Sequence, residues 1–410
     1  MSSAAAPPAG ARPRVLMLSP YFPPAEQGGG SVQAVLNLTR HLRDDFEFVV
    51  ATRDHDLRGT QPFSAASQHA ARQATGLDIH YLAGGMSGAR QLHSLLRQPF
   101  DLVYLHSLMA PDLGLWPLLC RRWLAAAHGP LLVAPRGELM PGALAQRSRA
   151  KRVYLALLRG TGLLRGVQFH ATGSDEAQAI QAALGGSAPP HVAADLPPPQ
   201  LPATETDDAP RRPGPLRVLF LSRIDPVKNL GFALKVVSGM SCEIEFDIAG
   251  PIGNDQVWAD CQGLMRALPA HIRTRYLGAV AHAEVAPMMA AHDVFFLPTL
   301  GENHGYVVAE ALAAGCPVLL SDRTPWRGLQ SAGVGADLPL DDVLAFQRVL
   351  ATQAAMSNDE RREQRARCRT YAQQRLTADA SVAAMRELLT RLAQPNARIV
   401  STSAGQSGGR

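Results

Sequence analysis

The segment Pro298-Thr-Leu-Gly-Glu-Asn-His-Gly-Tyr-Val-Val-Ala-Glu310 sets two carboxylates, Glu302 and Glu310, around a polar turn with seven residues between them. A helix beginning near Gly305 puts Glu302 on the loop at its mouth and Glu310 about a turn and a half inside, so the acids face different parts of one extended ligand. The backbone N–H groups of Gly305, Tyr306 and Val307 then lack helical acceptors and suit a phosphate, with the helix dipole favouring the anion and glycine allowing close approach. Taken alone, the pair also fits a capped helix with two surface glutamates. A second cluster weighs against that reading. In Leu219-Phe-Leu-Ser-Arg223-Ile-Asp-Pro-Val-Lys228-Asn229 a strand ends in two cations ahead of another helix, an arrangement that fits a diphosphate. Lysine occurs only at Lys151, Lys228 and Lys235, against thirty-seven arginines, so the point charge at Lys228 is not background usage.

These groups need elements that hold them at strand ends. Short aliphatic runs at Arg14–Ser19, Phe46–Ala51, Asp78–Leu82, Asp101–His106, Leu131–Ala134 and Val167–Ala171 each precede a loop and a helical period. A second series follows at Arg217–Ser222, Glu243–Ala249, Thr274–Gly278, Asp293–Pro298 and Pro317–Ser321, with helices expected at Asn229–Val237, His282–Ala291, Gly305–Ala314 and Leu340–Gln353. Ser357 and Glu360 form a capping box opening an arginine-rich helix to about Gln374. The pattern predicts an α/β protein of two doubly wound, Rossmann-like domains facing across a cleft where ligands bind. The expected divisions are 12–195, a Pro/Ala-rich linker at 196–212, 213–375, a helix at 376–394 that packs back on the first domain, and a disordered tail at 395–410.

At 410 residues with 46% hydrophobic content, the chain is too long and apolar to be a disordered or disulfide-stapled miniprotein. Five scattered cysteines suit reduced core thiols, and no ligand cluster of zinc spacing occurs. The Ala/Pro-rich start reads as no signal peptide, and no stretch reads as membrane-spanning, so a cytoplasmic protein is expected. A net charge of +5 without aromatic-interleaved basic motifs argues against nucleic acid. Charge is concentrated instead between Arg121 and Arg165, where nine Arg/Lys stand against Glu138 alone.

The order Ser222-Arg223-Ile-x4-Lys228-Asn229, Asp247-Ile-Ala-Gly-Pro251, Tyr276-Leu-Gly278, Asp293-Val-Phe-Phe-Leu-Pro298 and Glu302-x7-Glu310 followed by Ala-Gly-Cys-Pro-Val resembles the retaining family 4 ("group 1") glycosyltransferases of the GT-B fold. Ser19-Pro-Tyr-Phe-Pro-Pro-x3-Gly-Gly-Gly30 is similar to that family's opening strand and glycine loop, and Asp101-Leu-Val-Tyr-Leu-His106 to its strand ending in an acceptor-side histidine. Pro135-Arg-Gly-Glu138 through Lys151 resembles enzymes of bacterial surface polysaccharide synthesis.

The resemblance implies two catalytic residues, Glu302 near the reacting carbon and His106 on the acceptor side. Arg223, Lys228, Gly29, Gly30, Gly305, Tyr306 and Val307 would hold the donor diphosphate, and Glu310 the ribose. Arg136, Glu138 and Lys151 would lie on the acceptor side. It implies a nucleotide sugar of UDP or GDP type as donor, a glycan or lipid-linked acceptor, retention at the anomeric carbon, and no cofactor or metal, since two cations and a helix N-terminus can balance the leaving diphosphate. Two departures stand out: His304 replaces the usual aromatic after Glu-Asn, and the usual Pro-Asn-Gly is absent near His191–Pro199.

Rival signals are weaker. Gly28-Gly-Gly-Ser-Val-Gln33 lacks the third glycine of a dinucleotide fingerprint. Asp54-His-Asp56, flanked by Arg53 and Arg58, reads as a salt-bridged surface turn rather than a metal site. Two other classes remain open: another GT-B enzyme, such as a sugar phosphorylase or nucleotide-sugar epimerase, and a catalytically silent subunit of an assembly complex. Arg147, Arg149, Lys151 and Arg152 form a basic cluster on a helix whose Val153, Ala156, Leu157 and Leu164 are expected to pack inward, and it suits peripheral docking on an anionic membrane surface at the inner face.

Overall fold

The computed structural model describes residues 12–25, 28–57, 59–124, 129–145, 148–185, 188–199, 214–376 and 379–394. Most of the expected linker, Arg147 of the basic cluster and the tail expected to be disordered lie outside these residues.

The first seven strands are β1 (Arg14–Leu18), β2 (Glu47–Arg53), β3 (Asp78–Leu82), β4 (Leu102–Leu105), β5 (Leu131–Val133), β6 (Val167–Ala171) and β7 (His191–Val192). They form one parallel sheet in the order β3-β2-β1-β4-β5-β6-β7. Between them run α1 (Gly30–Leu42), α2 (Ala65–Thr75), α3 (Gly85–Leu96), α4 (Trp116–Trp123), α5 (Pro141–Ala145), α6 (Ser148–Gly160) and α7 (Ser174–Leu184).

The second sheet has β8 (Leu216–Leu221), β9 (Ile244–Ala249), β10 (Ile272–Gly278), β11 (Val294–Leu297), β12 (Val318–Ser321) and β13 (Gly335–Leu338), ordered β10-β9-β8-β11-β12-β13 and again parallel. Its helices are α8 (Leu230–Ser238), α9 (Asp255–Arg266), α10 (His282–Ala290), α11 (Tyr306–Ala313), α12 (Val343–Ala355) and α13 (Asn358–Arg375), and α14 (Asp379–Ala393) ends the described chain. The two doubly wound domains are those the alternating runs predict. The capping box at Ser357 and Glu360 is formed.

Strand alternation sorts the first sheet's side chains onto two faces. Leu16, Leu18, Val103, Leu105 and Val133 pack with Leu92, Leu118, Leu155, Leu158 and Ile180 from α3, α4, α6 and α7. Val15, Met17, Leu102, Tyr104 and Leu132 pack with Val32, Val35 and Leu38 of α1 and with Met385, Leu388, Leu389 and Leu392 of α14. The last helix therefore covers the first domain, tied also by Arg386 to Asp45 at 2.9 Å. Leu196, expected to open the linker, is buried in this same core.

Of the expected packing stripe, Leu164 packs against the core beyond the end of α6, but Val153, Ala156 and Leu157 do not. Leu155 and Leu158 turn α6 inward, whereas Val153 and Leu157 are 60% and 59% exposed and Ala156 is exposed too. The strands β7 and β13 and the helix α9 were not expected.

Because Leu389 is fully buried between α14 and the first sheet, Leu389→Ala should remove about 3 kcal/mol from the stability of that domain. Urea unfolding followed by tryptophan fluorescence measures it, and a loss below about 1 kcal/mol would take α14 out of the core.

Candidate functional site

Each sheet reverses its winding once, between β1 and β4 in the first and between β8 and β11 in the second. Loops on either side of such a reversal part company and leave a crevice at the carboxyl ends of the strands. The loops at these points are Gly28–Gly30 after β1, His106 after β4, Arg223 to Lys228 after β8, and Thr299 to Gly305 after β11.

In the second domain the two loops are sewn together. Asp225 accepts from the N–H groups of Val227 and Lys228, opening the 3-10 turn Pro226–Lys228. The Val227 carbonyl accepts from Leu300 N–H at 2.7 Å and from Thr299 Oγ1 at 3.0 Å. Asn229, in the left-handed region at φ 59°, donates its amide to the Pro298 carbonyl at 3.0 Å. This places Lys228 Nζ 2.6 Å from Glu302 Oε2, with both side chains largely buried. Arg223 pairs with Asp225 at 2.8 Å, and its side chain stays 45% exposed.

Gly305 caps α11 at φ 76°, where a side chain would be strained and a Cβ would stand 2.8 Å from Trp326 Nε1. Trp326 donates to the His304 carbonyl at 2.9 Å and is covered by the Arg375 guanidinium. Among the described residues the N–H groups of Gly305, Tyr306 and Val307 have no backbone acceptor, so the start of α11 presents three donors. From the first domain, α1 begins the same way: Gly29 is at φ 61°, no side chain caps the helix, and a Cβ on Gly30 would stand 3.6 Å from the Tyr306 ring.

Tyr306 joins the halves. Its hydroxyl donates to the Leu196 carbonyl at 3.0 Å, which also accepts from Asn37 of α1. Burial, then the Asp195 carboxylate, hold its phenol well above the ordinary value. Around it lies a buried polar group of the first domain. Arg136, a non-glycine residue at φ 55°, donates Nη1 to Asp195 and Nη2 to His106 Nδ1, the latter at 3.0 Å. Burial pushes the Asp195 carboxyl up, but Arg136 and His304 bring it below the usual range. His106 is 2% exposed, and burial followed by the Arg136 charge hold its imidazole well below 6.5. The Nε2 atoms of His106 and His304 are both buried without a protein partner.

The remaining candidates lie apart from this centre. Both oxygens of Glu138 are taken, by Ser107 Oγ at 2.6 Å and by the Leu108 and Met109 N–H groups, so it holds the loop after β4 rather than offering a carboxylate to a ligand. Lys151 Nζ donates to the Ala143 carbonyl at 2.5 Å. Glu310 sits inside α11 with His282 Nδ1 3.8 Å away, too far for a hydrogen bond, and burial pushes its carboxyl up to about 7. Asp54 and His55 bond to each other, while Arg53 leaves that turn to make a bidentate pair with Asp112. No cluster of three or more His, Cys, Asp or Glu side chains able to hold a metal occurs among the described residues.

Sequence reasoning missed Asp195, the phenol of Tyr306, Trp326 and Glu176, which accepts from Gly137 N–H at 2.5 Å. Only His304 had left a signal, as a departure from a familiar pattern.

The family profile described as "Glycosyl transferases group 1" matches residues 215–346. The phosphatidyl-myo-inositol mannosyltransferase of Mycobacterium tuberculosis is 30% identical over 377 residues, covering 85% of this chain and 89% of that one. The Mycobacterium leprae enzyme of the same name is 30% identical over 302 residues, or 66% and 70% of the two chains. In fold, Anabaena HepE, solved with UDP and glucose, superposes with a TM-score of 0.69 at 17% identity over 93% of this chain and all of that one. A sucrose-phosphate synthase from Thermosynechococcus elongatus gives 0.67 at 17% identity, covering 93% and 99%.

The raised Glu310 pKa sets a pH dependence. An unfolded glutamate ionises near 4.5 and this one near 7, so the folded chain holds the proton more tightly. Whatever stability that proton gives is complete below about 4.5 and lost as pH rises through about 7. Glu310→Gln should therefore stabilise the protein by ~3 kcal/mol at pH 8 and change little at pH 4.5, read by urea unfolding at both. Equal effects at the two pH values would show Glu310 to be solvated.

Proposed function

The chain belongs to the group 1 glycosyltransferases, and from that membership we propose that it moves a sugar, with retention at the anomeric carbon, from a nucleoside diphosphate sugar to a hydroxyl of a lipid-linked glycan. The observation that carries this is the meeting of two uncapped helix starts, α1 and α11, from opposite domains, beside the Lys228–Glu302 pair.

A glycosyl donor separates charge as it reacts: the diphosphate leaves as an anion and positive charge grows at the anomeric carbon. Lys228, Arg223 and the donors at Gly305, Tyr306 and Val307 meet the first demand without a metal. Gly29 and Gly30 let backbone from the other domain approach the same group. Glu302, held against Lys228, offers a carboxylate beside the cationic carbon, and Glu310 accepts from the ribose hydroxyls. Retention follows if the departing phosphate oxygen takes the acceptor proton on the face it leaves. That HepE was solved with UDP and glucose, and that the mycobacterial relatives are named for a phosphatidyl-inositol acceptor, supports a nucleotide donor of UDP or GDP type and a lipid-borne acceptor.

The same reading gives α6 a task. Its outer face carries Val153 and Leu157 one turn apart with Arg149 and Arg152, an apolar pair rimmed by cations that suits reversible docking on an anionic bilayer from the inner face. No helix among the described residues is long and apolar enough to cross a membrane.

Two experiments test these readings. Incubation with UDP- and GDP-sugars and a polyprenyl-linked acceptor should give product with the donor's anomeric configuration, undiminished by EDTA. Glu302→Ala should lower kcat about 100-fold or more with nucleotide affinity kept, and Glu310→Ala should chiefly weaken nucleotide binding. Inverted product, or loss of activity on chelation matched by Asp54→Ala, would overturn the mechanism. In the second, the protein should sediment with anionic vesicles at low salt and release at high salt, and Val153→Ser with Leu157→Ser should weaken binding. Binding indifferent to both substitutions would remove α6 from the docking surface.

A further inference from the structure

We propose that Arg136 is a positioning residue of the transfer site. By donating to His106 Nδ1 it fixes the imidazole proton on Nε2, so that His106 faces the transferring sugar as a neutral hydrogen-bond donor and not as a base. The role of His106 toward the sugar rests on the glycosyl-transfer reading above; the tautomer does not.

A guanidinium carries five N–H donors and no acceptor. With Arg136 Nη2 3.0 Å from His106 Nδ1, that nitrogen must supply the lone pair, and the proton of the neutral ring falls to Nε2. The ring cannot answer by rotating freely. It lies 4.1 Å from the Tyr104 ring, centroid to centroid, and is almost wholly buried. Tyr104 is fixed in turn: His170 Nε2 donates to the Ala193 carbonyl at 2.8 Å, so His170 Nδ1 accepts from the Tyr104 hydroxyl at 2.5 Å.

Arg136 is held just as firmly. Asp195 takes its other terminal nitrogen, the pair being 8% and 7% exposed, and Gly137 N–H is anchored by Glu176. Its left-handed backbone, uncommon for a residue with a side chain, aims the guanidinium at His106. At the end of this chain of fixed donors, His106 Nε2 is buried without a protein partner, and a buried donor left unpaired marks a place where a ligand completes the bonding. A base at this position would need its lone pair on the nitrogen facing the substrate. The geometry puts that lone pair against Arg136.

The test begins with two amides. Gln places its N–H where Nε2 stands, and Asn places its amide where Nδ1 stands. His106→Asn should lower kcat about 100-fold, the scale of a lost transition-state donor, and His106→Gln should recover most of that loss. Equal inactivity of both variants would mean a base and overturn the proposal.

The second arm needs no turnover. Long-range proton–nitrogen NMR of the full chain labelled at histidine, with His106 assigned by its disappearance in His106→Gln, should show the proton on Nε2. A proton on Nδ1 overturns the tautomer whatever the activity, whereas the Nε2 pattern in a chain that transfers no sugar would defeat the functional reading alone. In the third arm the ion pair is replaced together, Arg136→Met with Asp195→Asn. This should lower kcat in the wild-type background but have little further effect beside His106→Gln, because an amide has no tautomer to set. The same loss in both backgrounds would make Arg136 merely structural.

Discussion

A parallel sheet wound in both directions must part its loops at the strand where the winding reverses, and this protein meets that constraint twice, at β1/β4 and at β8/β11. At each reversal the chain emerges as backbone N–H groups at the start of a helix, α1 in one domain and α11 in the other. Glycine stands at both starts, so neither helix supplies its own side-chain cap. The donors therefore remain directed at whatever enters from the cleft. The cations at Arg223 and Lys228 come from the strand adjoining the second reversal. Positive potential at the site is thus a consequence of topology first and of side-chain choice second.

What keeps the two sheets facing is a small buried contact of unusual composition. Tyr306 leaves α11 and ends on a carbonyl of the first domain, beside the buried Arg136–Asp195 pair. Removing one partner of such a pair costs about 3 to 5 kcal/mol, because the survivor is a buried charge without compensation. That penalty constrains the loop after β5 and the segment after β7 to move as one body. The return of α14 to cover the first sheet adds a second tie, so the chain begins and ends its described course in the same domain.

Most strands were legible because a sheet covered on both faces demands unbroken apolar runs, and those runs are local. The edge strand β7 has two residues, and β13, Gly335–Leu338, has one buried position, Ala336, with Leu338 partly buried beside the core, so neither offers such a run. The helix α6 was legible as a helix but not in phase. It carries apolar residues on two stripes, Leu155 with Leu158 and Val153 with Leu157, and periodicity cannot say which one a neighbouring sheet will take. The side of the site proposed to hold the diphosphate lay within short motifs. The polar centre did not: Arg136 and Asp195 are fifty-nine residues apart, and only the pairing of β6 with β7 brings the second to the first.

The site also holds several polar groups that the fold leaves unsatisfied. The imidazoles of His106 and His304 each bury an unpaired Nε2, the starts of α1 and α11 lack caps, and Glu310 is buried far enough to raise its pKa to about 7. The buried imidazole nitrogens and the buried Glu310 carboxyl are unfavourable in isolation, since a buried donor or carboxylate without a partner forfeits its hydration. They converge on one crevice, with contributions from both domains, whereas several charged groups elsewhere in the interior are paired: Asp247 with Arg275 and His292, Asp293 with Arg361, Glu138 with its loop. A polar, anionic ligand bound at the crevice would recover there hydrogen bonds that the folded chain forgoes, with its binding strength drawn from groups already held in place.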